Sequence, residues 1–350
     1  MIEIKKIANN KGSIALGAGL VALDVIVNGT PETPAKLCAG GSCGNVLSIL
    51  SFLGWESKPI ARLANNEASD RLFNDFENFN VNTSLISKSE DGRTPVIIHR
   101  ILKDKLGNPK HKFEFKVPNT NIWLPSYKPV LTSSVHNLIE NQEKTNVFYF
   151  DRVSRSIIEL AKHYKNGGAL IVFEPSSLKE DQQFLECLSL ADIIKFSNDR
   201  IKNYSSKFPY PNSLLEIETM GKEGLRYRLK SDSNPQWKLL SPYEFKHTVD
   251  NAGAGDWCTA GIINQLGYNG VKSFLSSSRE EIENSLSIGQ IFGGINCTYN
   301  GARGLMYNMN YQSLIKISEA IINENKVIPE IEQNNINILT IQDFDFESIL

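Results

Sequence analysis

A carboxylate follows a run of small residues in the stretch Gly253-Ala254-Gly255-Asp256. Apolar residues from 257 to 266 recur at helical spacing, and Gly267 is placed to end that helix. A small-residue turn that starts a helix exposes backbone N–H groups and the positive end of the helix dipole, which together bind anions such as phosphate. Asp256 would then lie where a hydroxyl group meets the phosphate. An ordinary helix start with an acidic cap is the alternative, and this stretch alone leaves it open.

A second Gly-rich loop precedes another helix near the N-terminus. Gly40-Gly41 and Asn45 lead into an apolar run from 46 to 53 that Gly54 closes. Bare backbone at the two glycines lets a ligand approach closely, and the Asn45 amide can donate to and accept from a hydroxyl. Asp24 is a lone carboxylate in the apolar run 20–27 and is a candidate ligand for sugar hydroxyls. The alternatives are a solvent-facing Asp24 and an Asn45 that simply occupies the first helical turn.

These turns belong to a regular alternation of strands and helices. Strands are expected over 13–19, 58–63, 146–150, 169–173, 192–197 and 213–220, with helices between them. Such alternation predicts a mostly parallel sheet covered by helices on both faces. Ligands of such sheets bind at the carboxyl ends of the strands, so both Gly-rich turns should open on one edge. A phosphate site and a hydroxyl site on one edge indicate phosphoryl transfer.

A strand pair interrupts the alternation. Residues 94–102 and 112–117 read as two strands around a turn at 107–109, and the second strand alternates strictly. The segments 20–36 and 94–117 are together expected to form a small β lid. On this lid, Arg100 could reach a substrate or be a solvated strand residue. The division expected is one domain over 1–325 and a surface tail over 326–350.

Composition excludes several classes of protein. A net charge of −2 implies no basic face for nucleic acid, and no apolar run approaches the roughly 20 residues of a membrane span. The five cysteines are scattered without a Cys-x-x-Cys pair, which favours a reducing cytoplasm over a disulfide or zinc framework. Gly17-Ala18-Gly19 matches a loose dinucleotide fingerprint, but the residues after it read as a strand, so a nicotinamide-dependent dehydrogenase is rejected.

Taken together, the motifs resemble those of the ribokinase-like (PfkB) sugar and nucleoside kinases over residues 13 to 310. Asp250-Asn251-Ala252-Gly253-Ala254-Gly255-Asp256 resembles the C-terminal signature of that family, and Gly40-Gly41 with Asn45 resembles its N-terminal signature. The turn 219–224, Thr-Met-Gly-Lys-Glu-Gly, is similar to its nucleotide-edge turn. The resemblance implies a ribokinase-like three-layer α/β sandwich with a β lid. It also implies ATP-dependent transfer of a γ-phosphoryl group to a hydroxymethyl group.

The resemblance also implies roles for single residues. Asp256 would be the catalytic base, and the N–H groups from Ala252 to Asp256, with Asn251 beside them, would form the anion hole and contact the nucleotide. Asp24, Gly41 and Asn45 would hold the substrate, while Thr219, Gly221 and Gly224 would line the nucleotide site. ATP and Mg²⁺ are the implied cofactors, with K⁺ or another monovalent cation beside Asp250 and the loop 300–304. A homodimer through the lid is a further candidate assembly.

Two departures from the family pattern bear on activity. Asn251 stands where the signature has Thr, and its amide can still form hydrogen bonds. At 195–200, Arg200 stands where the family has the Glu of its Asn-x-x-Glu motif, with Asp199 as a candidate water-mediated magnesium ligand.

We therefore expect an ATP-dependent kinase of a sugar or keto-sugar acid, because Asp24, Asn45, Arg100 and Arg155 offer polar and cationic groups to such a substrate. The alternatives are a weak or inactive sugar- or nucleotide-binding protein and a nucleoside kinase.

Overall fold

The fold is described from a computed structural model, which covers residues 4, 12–28, 35–103, 109–140, 144–179, 181–245, 247–324 and 340–341. The predicted turn at 107–109 and the tail 326–350 lie largely outside these residues. None of the described helices combines the length and apolar character that a membrane crossing requires.

The strands form two sheets, a large central one and a smaller lid. Their bounds are β1 Ile14–Ala18, β2 Ala22–Asn28, β3 Ala35–Gly40, β4 Glu56–Leu63, β5 Ile86–Lys88, β6 Val96–Lys103, β7 Pro109–Glu114, β8 Val147–Phe150, β9 Leu170–Phe173, β10 Ile193–Ser197, β11 Leu215–Thr219, β12 Leu225–Leu229, β13 Lys238–Leu240, β14 Tyr268–Gly270 and β15 Thr340–Ile341.

The helices lie mostly between these strands. Their bounds are α1 Ser42–Phe52, α2 Glu67–Asn78, α3 Val135–Glu140, α4 Arg155–Asn166, α5 Gln182–Leu190, α6 Tyr204–Lys207, α7 Ala254–Leu266, α8 Val271–Leu275, α9 Arg279–Asn296, α10 Gly304–Asn308 and α11 Tyr311–Glu324. Two 3₁₀ turns span Thr132–Ser134 and Gly221–Glu223. Side-chain caps start several helices, as Ser154 does for α4 and Ser278 for α9.

The central sheet has the strand order β13-β12-β11-β10-β9-β8-β1-β4-β5. The pairings are parallel except on both sides of β12, so β12 alone runs against the others in the described sheet. Buried apolar side chains of α1, α7 and α9 pack on one face, and those of α4 and α5 pack on the other. The predicted three-layer α/β architecture with a mostly parallel sheet is confirmed. The extended interpretation of residues 22–28, on which the dehydrogenase was rejected, holds as well.

The lid is a separate sheet with the order β15-β3-β2-β6-β7. Its core face, which includes Leu23, Val25 and Ile98, packs against α2. Sequence patterns did not reveal β3, because its run Ala35–Gly40 has small residues and no clear alternation. The short strand β15, within the predicted tail, pairs antiparallel with the start of β3.

The carboxyl ends of the parallel strands meet at one edge of the central sheet. Asp151 follows β8, Glu174 follows β9, and Ser197 and Thr219 end β10 and β11. This order places polar groups in a row that begins beside β1 and reaches the antiparallel strand β12. The starts of α1 and α7 open on the same edge, as the sequence predicted.

Candidate active site

The start of α7 is shaped by contact with the loop that follows α9. Gly253 caps the helix with φ 72°, in the left-handed region that favours glycine. A Cβ atom at Gly253 would lie 2.1 Å from the carbonyl oxygen of Ala302, so no other residue fits. The Nε1–H of Trp257 also donates to that oxygen at 3.2 Å. The turn is therefore held tightly against the loop that follows α9.

The amides available to an anion are fewer than the sequence suggested. A helix start leaves the N–H groups of its first turn, here Gly255 and Asp256, outside the helix ladder. The N–H of Ala252, however, donates to Asp250 Oδ1 at 2.7 Å, and that of Ala254 points at Asn251 O at 3.4 Å. Ala252 is therefore corrected from an anion-hole donor to a structural residue, because its amide already has a carboxylate partner.

The two Gly-rich turns meet through their polar side chains. Asn45 Nδ2 donates a hydrogen bond to Asp256 Oδ2 at 2.7 Å. Asn45 is 4 % exposed, and its Oδ1 atom is buried without a hydrogen-bond partner. A buried acceptor without a donor costs free energy, so a donor from a bound ligand would be favoured here. Gly41 caps α1 with φ 76° and brings the backbone before Asn45 close to Leu20.

Asp256 is poised between its charged and neutral forms. Burial raises the pKa of Asp256 to about 7, and the neighbouring Glu174 carboxylate adds to the increase. The hydrogen bond from Asn45 and the charges of Lys195 and Arg200 lower the pKa in turn. A base with a pKa near the working pH accepts a proton efficiently and releases it afterwards.

An ion pair lies directly beneath the α7 turn. Lys195 Nζ donates to Glu174 Oε1 at 2.7 Å, and Thr259 Oγ1 donates to Glu174 Oε2 at 2.6 Å. A Cβ atom on Gly255 would stand 3.6 Å from Lys195 Nζ. The Lys195 side chain is 2 % exposed, and the Glu174 carboxylate raises the pKa of Lys195 against the effect of burial. Neither residue was predicted to belong to the site, although Glu174 follows a strand and Lys195 begins the segment 195–200 that differs from the family pattern.

Asp24 lies on the lid strand β2, beside the Gly-rich backbone that leads into α1. A Cβ atom on Gly40 would lie 2.1 Å from Asp24 Oδ2, so the carboxyl group rests against the Gly-rich backbone. Burial raises the pKa of Asp24 to about 7, and the positive charge of Arg303 partly offsets that increase. Asp24, Lys36 and Arg303 line one cleft between the lid and the loop 300–304. Asp24 is thus half-buried in a cleft, not on a solvent-facing strand.

Arg303 joins that loop to the lid. Its Nη2 donates to Ala39 O at 2.5 Å, to the Asp75 carboxylate and to the Tyr307 hydroxyl. Asp75 in turn accepts from the N–H of Ala39 at 2.7 Å. Arg303 is 2 % exposed, and its charge is compensated by Asp75. No sequence pattern points to this cluster, because its members come from three distant segments of the chain.

A further charged pair, Asp151 with Arg152, lies after β8 at the same edge of the sheet. Asp151 accepts from the N–H of Leu20 at 2.9 Å and from Arg152 Nη1 at 2.8 Å. Burial raises the pKa of Asp151, while Arg152 lowers it. Asp151 is 1 % exposed, so its charge is held by these donors.

The predicted nucleotide turn lies at the other end of the edge. Thr219 ends β11, and its carbonyl oxygen accepts from the N–H of Asn198 at 3.0 Å. The turn is closed by the N–H of Met220, which donates to Gly224 O at 2.8 Å, and Gly221 lies exposed on it with φ 58°. These contacts place the turn beside the end of β10, where Asp199 and Arg200 are both exposed.

Two predicted substrate residues do not join the site. Arg100 pairs across the lid with Val27, whereas Asp24 pairs with Ile97, so Arg100 projects from the opposite face and binds Glu114 at 2.9 Å. Arg155 is exposed at the start of α4, where it pairs with Glu159 and Glu186. Both predictions are corrected. The two arginines were the cationic groups that favoured an acidic substrate, so that expectation loses its main support.

The described residues contain no group of three or more His, Cys, Asp or Glu that could hold a metal ion by itself. Magnesium in phosphoryl-transfer sites is held mainly by substrate phosphates and water, with one or two carboxylates. The exposed Asp199 carboxylate, beside the turn 219–224, fits that pattern better than Glu174, whose oxygens already have partners.

The curated relatives of the chain are fructokinases. It is 25% identical over 298 residues to the probable fructokinase-6, chloroplastic, of Arabidopsis thaliana, covering 77% of this chain and 73% of that one. It is 22% identical over 314 residues to the fructokinase of Salmonella typhimurium, covering 83% and 95% of the two chains. No protein-family model matches the chain.

Solved structures share the fold at low identity. The fructokinase of Xylella fastidiosa with bound ATP has a TM-score of 0.69 at 16% identity, over 90% of this chain and 100% of that one. A Vibrio cholerae fructokinase with fructose, ADP and a potassium ion bound has a TM-score of 0.65 at 16% identity, over 88% and 98%. A nucleoside kinase of Methanocaldococcus jannaschii has a TM-score of 0.62 at 16% identity, over 87% and 98%.

Proposed function

We propose that this chain, a homologue of fructokinases with the ribokinase-like fold, is an ATP-dependent kinase of a free ketose such as fructose. The resemblance to the ribokinase-like carbohydrate kinases and the expected class of activity are confirmed by these relatives. The acceptor and the role of each residue are our proposal. The observation that carries it is Asp256, which stands at an anion-binding helix start with a pKa near 7 and a hydrogen bond to Asn45.

In the proposed reaction, an oxygen of the sugar hydroxymethyl group attacks the γ-phosphorus of ATP. The new P–O bond forms as the bond between the γ-phosphorus and the β–γ bridging oxygen breaks, and ADP leaves with that oxygen. Asp256 takes the hydroxyl proton late in the transfer. The amides of Gly253, Gly255 and Asp256, with the α7 dipole, stabilise the negative charge on the transferring group.

The acceptor is placed by groups that suit a neutral polyol. Asn45 Oδ1 needs a donor, and the carboxyl of Asp24 can accept from sugar hydroxyls. The two buried cations near the proposed acceptor site are already in ion pairs, Arg303 with Asp75 and Lys195 with Glu174. Burying a further charge would need a free partner, so a sugar without a carboxylate is favoured over a sugar acid.

The nucleotide is proposed to lie along the turn 219–224, with its phosphates directed toward the α7 start. Thr219, Gly221 and Gly224 would line the base and ribose end. Arg200, whose positive charge lowers the pKa of Asp256, is proposed to contact the phosphates. Mg²⁺ would be held by those phosphates, with Asp199 reached through water, and would neutralise charge on the β- and γ-oxygens.

The test is a phosphorylation screen with ATP and Mg²⁺, in which ADP release and sugar phosphate are both measured. Fructose, other ketoses, aldoses, keto-sugar acids and nucleosides are compared by kcat/KM. The proposal predicts that a neutral ketose gives the highest value. A nucleoside or a sugar acid in first place would reject the proposed acceptor. No turnover with any of these acceptors would favour a binding protein on a kinase scaffold.

A further inference from the structure

A monovalent cation beside the anion hole is implied by the fold family, and one fructokinase of this fold has a potassium ion bound. In this chain, such an ion would need oxygen ligands from Asp250 and from the loop 300–304, which faces the α7 turn. The described contacts of these oxygens test whether the residues fit a cation.

The Asp250 carboxylate already has two backbone donors. It is fully buried, with Oδ1 accepting from the N–H of Ala252 at 2.7 Å and Oδ2 accepting from the N–H of Gly301 at 2.8 Å. Such charge-assisted hydrogen bonds are short and strong. The carboxylate therefore joins the turn to the loop without an ion.

The backbone carbonyls that face each other across this junction share a side-chain donor. Asn296, at the end of α9 and fully buried, donates from Nδ2 to Ala252 O at 2.9 Å and reaches Gly301 O at 3.4 Å. Its Oδ1 accepts from the N–H of Leu305 at 3.2 Å. That acceptor contact fixes the orientation of the amide, so its NH₂ group points between the two carbonyls.

Two loop carbonyls also accept from other donors in the protein. Ala302 O accepts from Trp257 Nε1 at 3.2 Å, and Gly301 O accepts from the N–H of Gly304 at 3.1 Å. A cation would have to displace an NH₂ group from the centre of this set. The residues therefore do not fit a monovalent cation.

We propose that the Asn296 amide takes the place of the monovalent cation, so that this kinase works without K⁺. Its two N–H bonds present partial positive charge to the same carbonyls. It holds Ala252, and through it Gly253, in register with the loop 300–304. Asn296 is thus a positioning residue for the anion-binding turn, and its effect on turnover rests on the proposed kinase function.

The first experiment compares the wild-type protein in KCl, NaCl and choline chloride at equal ionic strength. We expect kcat and kcat/KM to agree within about twofold, and the melting temperature and the affinity for ATP to be equal in the three salts. A tenfold or larger requirement for K⁺, or a K⁺-specific rise in melting temperature, would overturn the proposal. The melting and ATP-binding measurements decide the matter even if no sugar is phosphorylated.

The second experiment uses Asn296→Ala, which removes the donor and opens space between the carbonyls. We expect weaker ATP binding and lower turnover in choline chloride, both restored at least in part by K⁺. The control is Asn264→Ala, a buried residue of α7 whose Oδ1 accepts from Trp55 Nε1 at 2.9 Å away from this junction. The control should lose stability without any response to K⁺.

An Asn296→Ala protein that keeps full ATP affinity and turnover in choline chloride would reject the positioning role. Loss in Asn296→Ala that K⁺ does not relieve would reject the replacement of a cation. If that variant does not fold, the salt comparison on the wild type decides the proposal by itself.

Discussion

Asn45 and Asp256 are 211 residues apart in the sequence, yet the amide of one donates a 2.7 Å hydrogen bond to the carboxylate of the other. This bond joins the start of α1 to the start of α7. It places the group proposed to hold the acceptor next to the group proposed to take its proton. It also leaves Asn45 Oδ1 free to accept from a ligand.

Removing this bond should impair both binding and proton transfer. For Asn45→Ala we expect kcat/KM for the sugar to fall about 10- to 100-fold. The acidic limb of the pH profile should move to higher pH, because the Asn45 hydrogen bond lowers the pKa of Asp256. The control is Ser48→Ala, one turn along α1, whose hydroxyl donates only to Gly44 O. An unchanged acidic limb in Asn45→Ala would contradict the proposed contact.

The pH dependence of kcat/KM should report two carboxyl groups. Burial raises the pKa values of Asp24 and Asp256 from 3.8 to about 7 each, and the proposed roles need both groups ionised. Activity should therefore fall as the pH drops below 7, with a limiting slope near 2 in a logarithmic plot. Asp24→Asn should reduce that slope to about 1. A wild-type profile that stays flat down to pH 5 would contradict both assignments.

Removing one partner of the buried Lys195–Glu174 ion pair should lower the stability of the fold. Lys195→Met leaves the Glu174 carboxylate without its cation, and we expect a loss of about 3 kcal/mol in the free energy of unfolding. Adding Glu174→Gln to Lys195→Met should recover part of that loss. Urea denaturation measures both. The control is Arg155→Ala, which breaks an exposed helical pair with Glu159 and is expected to cost below about 1 kcal/mol. A Lys195→Met protein as stable as the control would argue against the pair.

Arg200 should act on the nucleotide and not on the sugar. Arg200→Ala is expected to raise KM for ATP about tenfold, because one positive charge near the phosphates is lost, and to leave KM for the sugar within about twofold. Arg226→Ala is a control, since Arg226 on β12 is held by Glu218 of β11 and Ser205 of α6. Equal changes in both KM values would contradict a role specific to the phosphates.

The two Gly-rich turns could be predicted from the sequence because the backbone conformation of such a turn depends on the residues within it. A glycine such as Gly253 marks a left-handed helix cap, and the strand–helix alternation fixed the edge on which Asp256 and Asn45 lie. The bond between their side chains still required the fold, since nothing in either segment specifies the distance to the other.

The errors have equally physical causes. Arg100 was left open between a substrate contact and a solvated strand residue, and the register of β2 with β6 places it three residues beyond Ile97, the partner of Asp24, and so on the opposite face of the lid. Lys195 and Glu174 were missed because their pairing depends on two adjacent parallel strands ending together. Asn296 was missed because it lies within a helix whose sequence pattern indicates only packing.

The central claim is that Asp256 is the base of an ATP-dependent sugar kinase, and Asp256→Asn tests it. The variant must first be shown to fold. A raised carboxyl pKa gives stability that is present below pH 3.8 and is lost as the pH rises through about 7. Asp256→Asn should therefore be no less stable than the wild type at pH 8, by thermal denaturation, and should bind ATP with similar affinity.

The deciding measurement is kcat of the wild type and of Asp256→Asn at pH 8 with saturating ATP, Mg²⁺ and the sugar that the wild type uses best. Loss of a positioned base predicts a fall of roughly 10²- to 10⁴-fold in kcat. An Asp256→Asn protein that retains kcat within about threefold of the wild type would contradict the account.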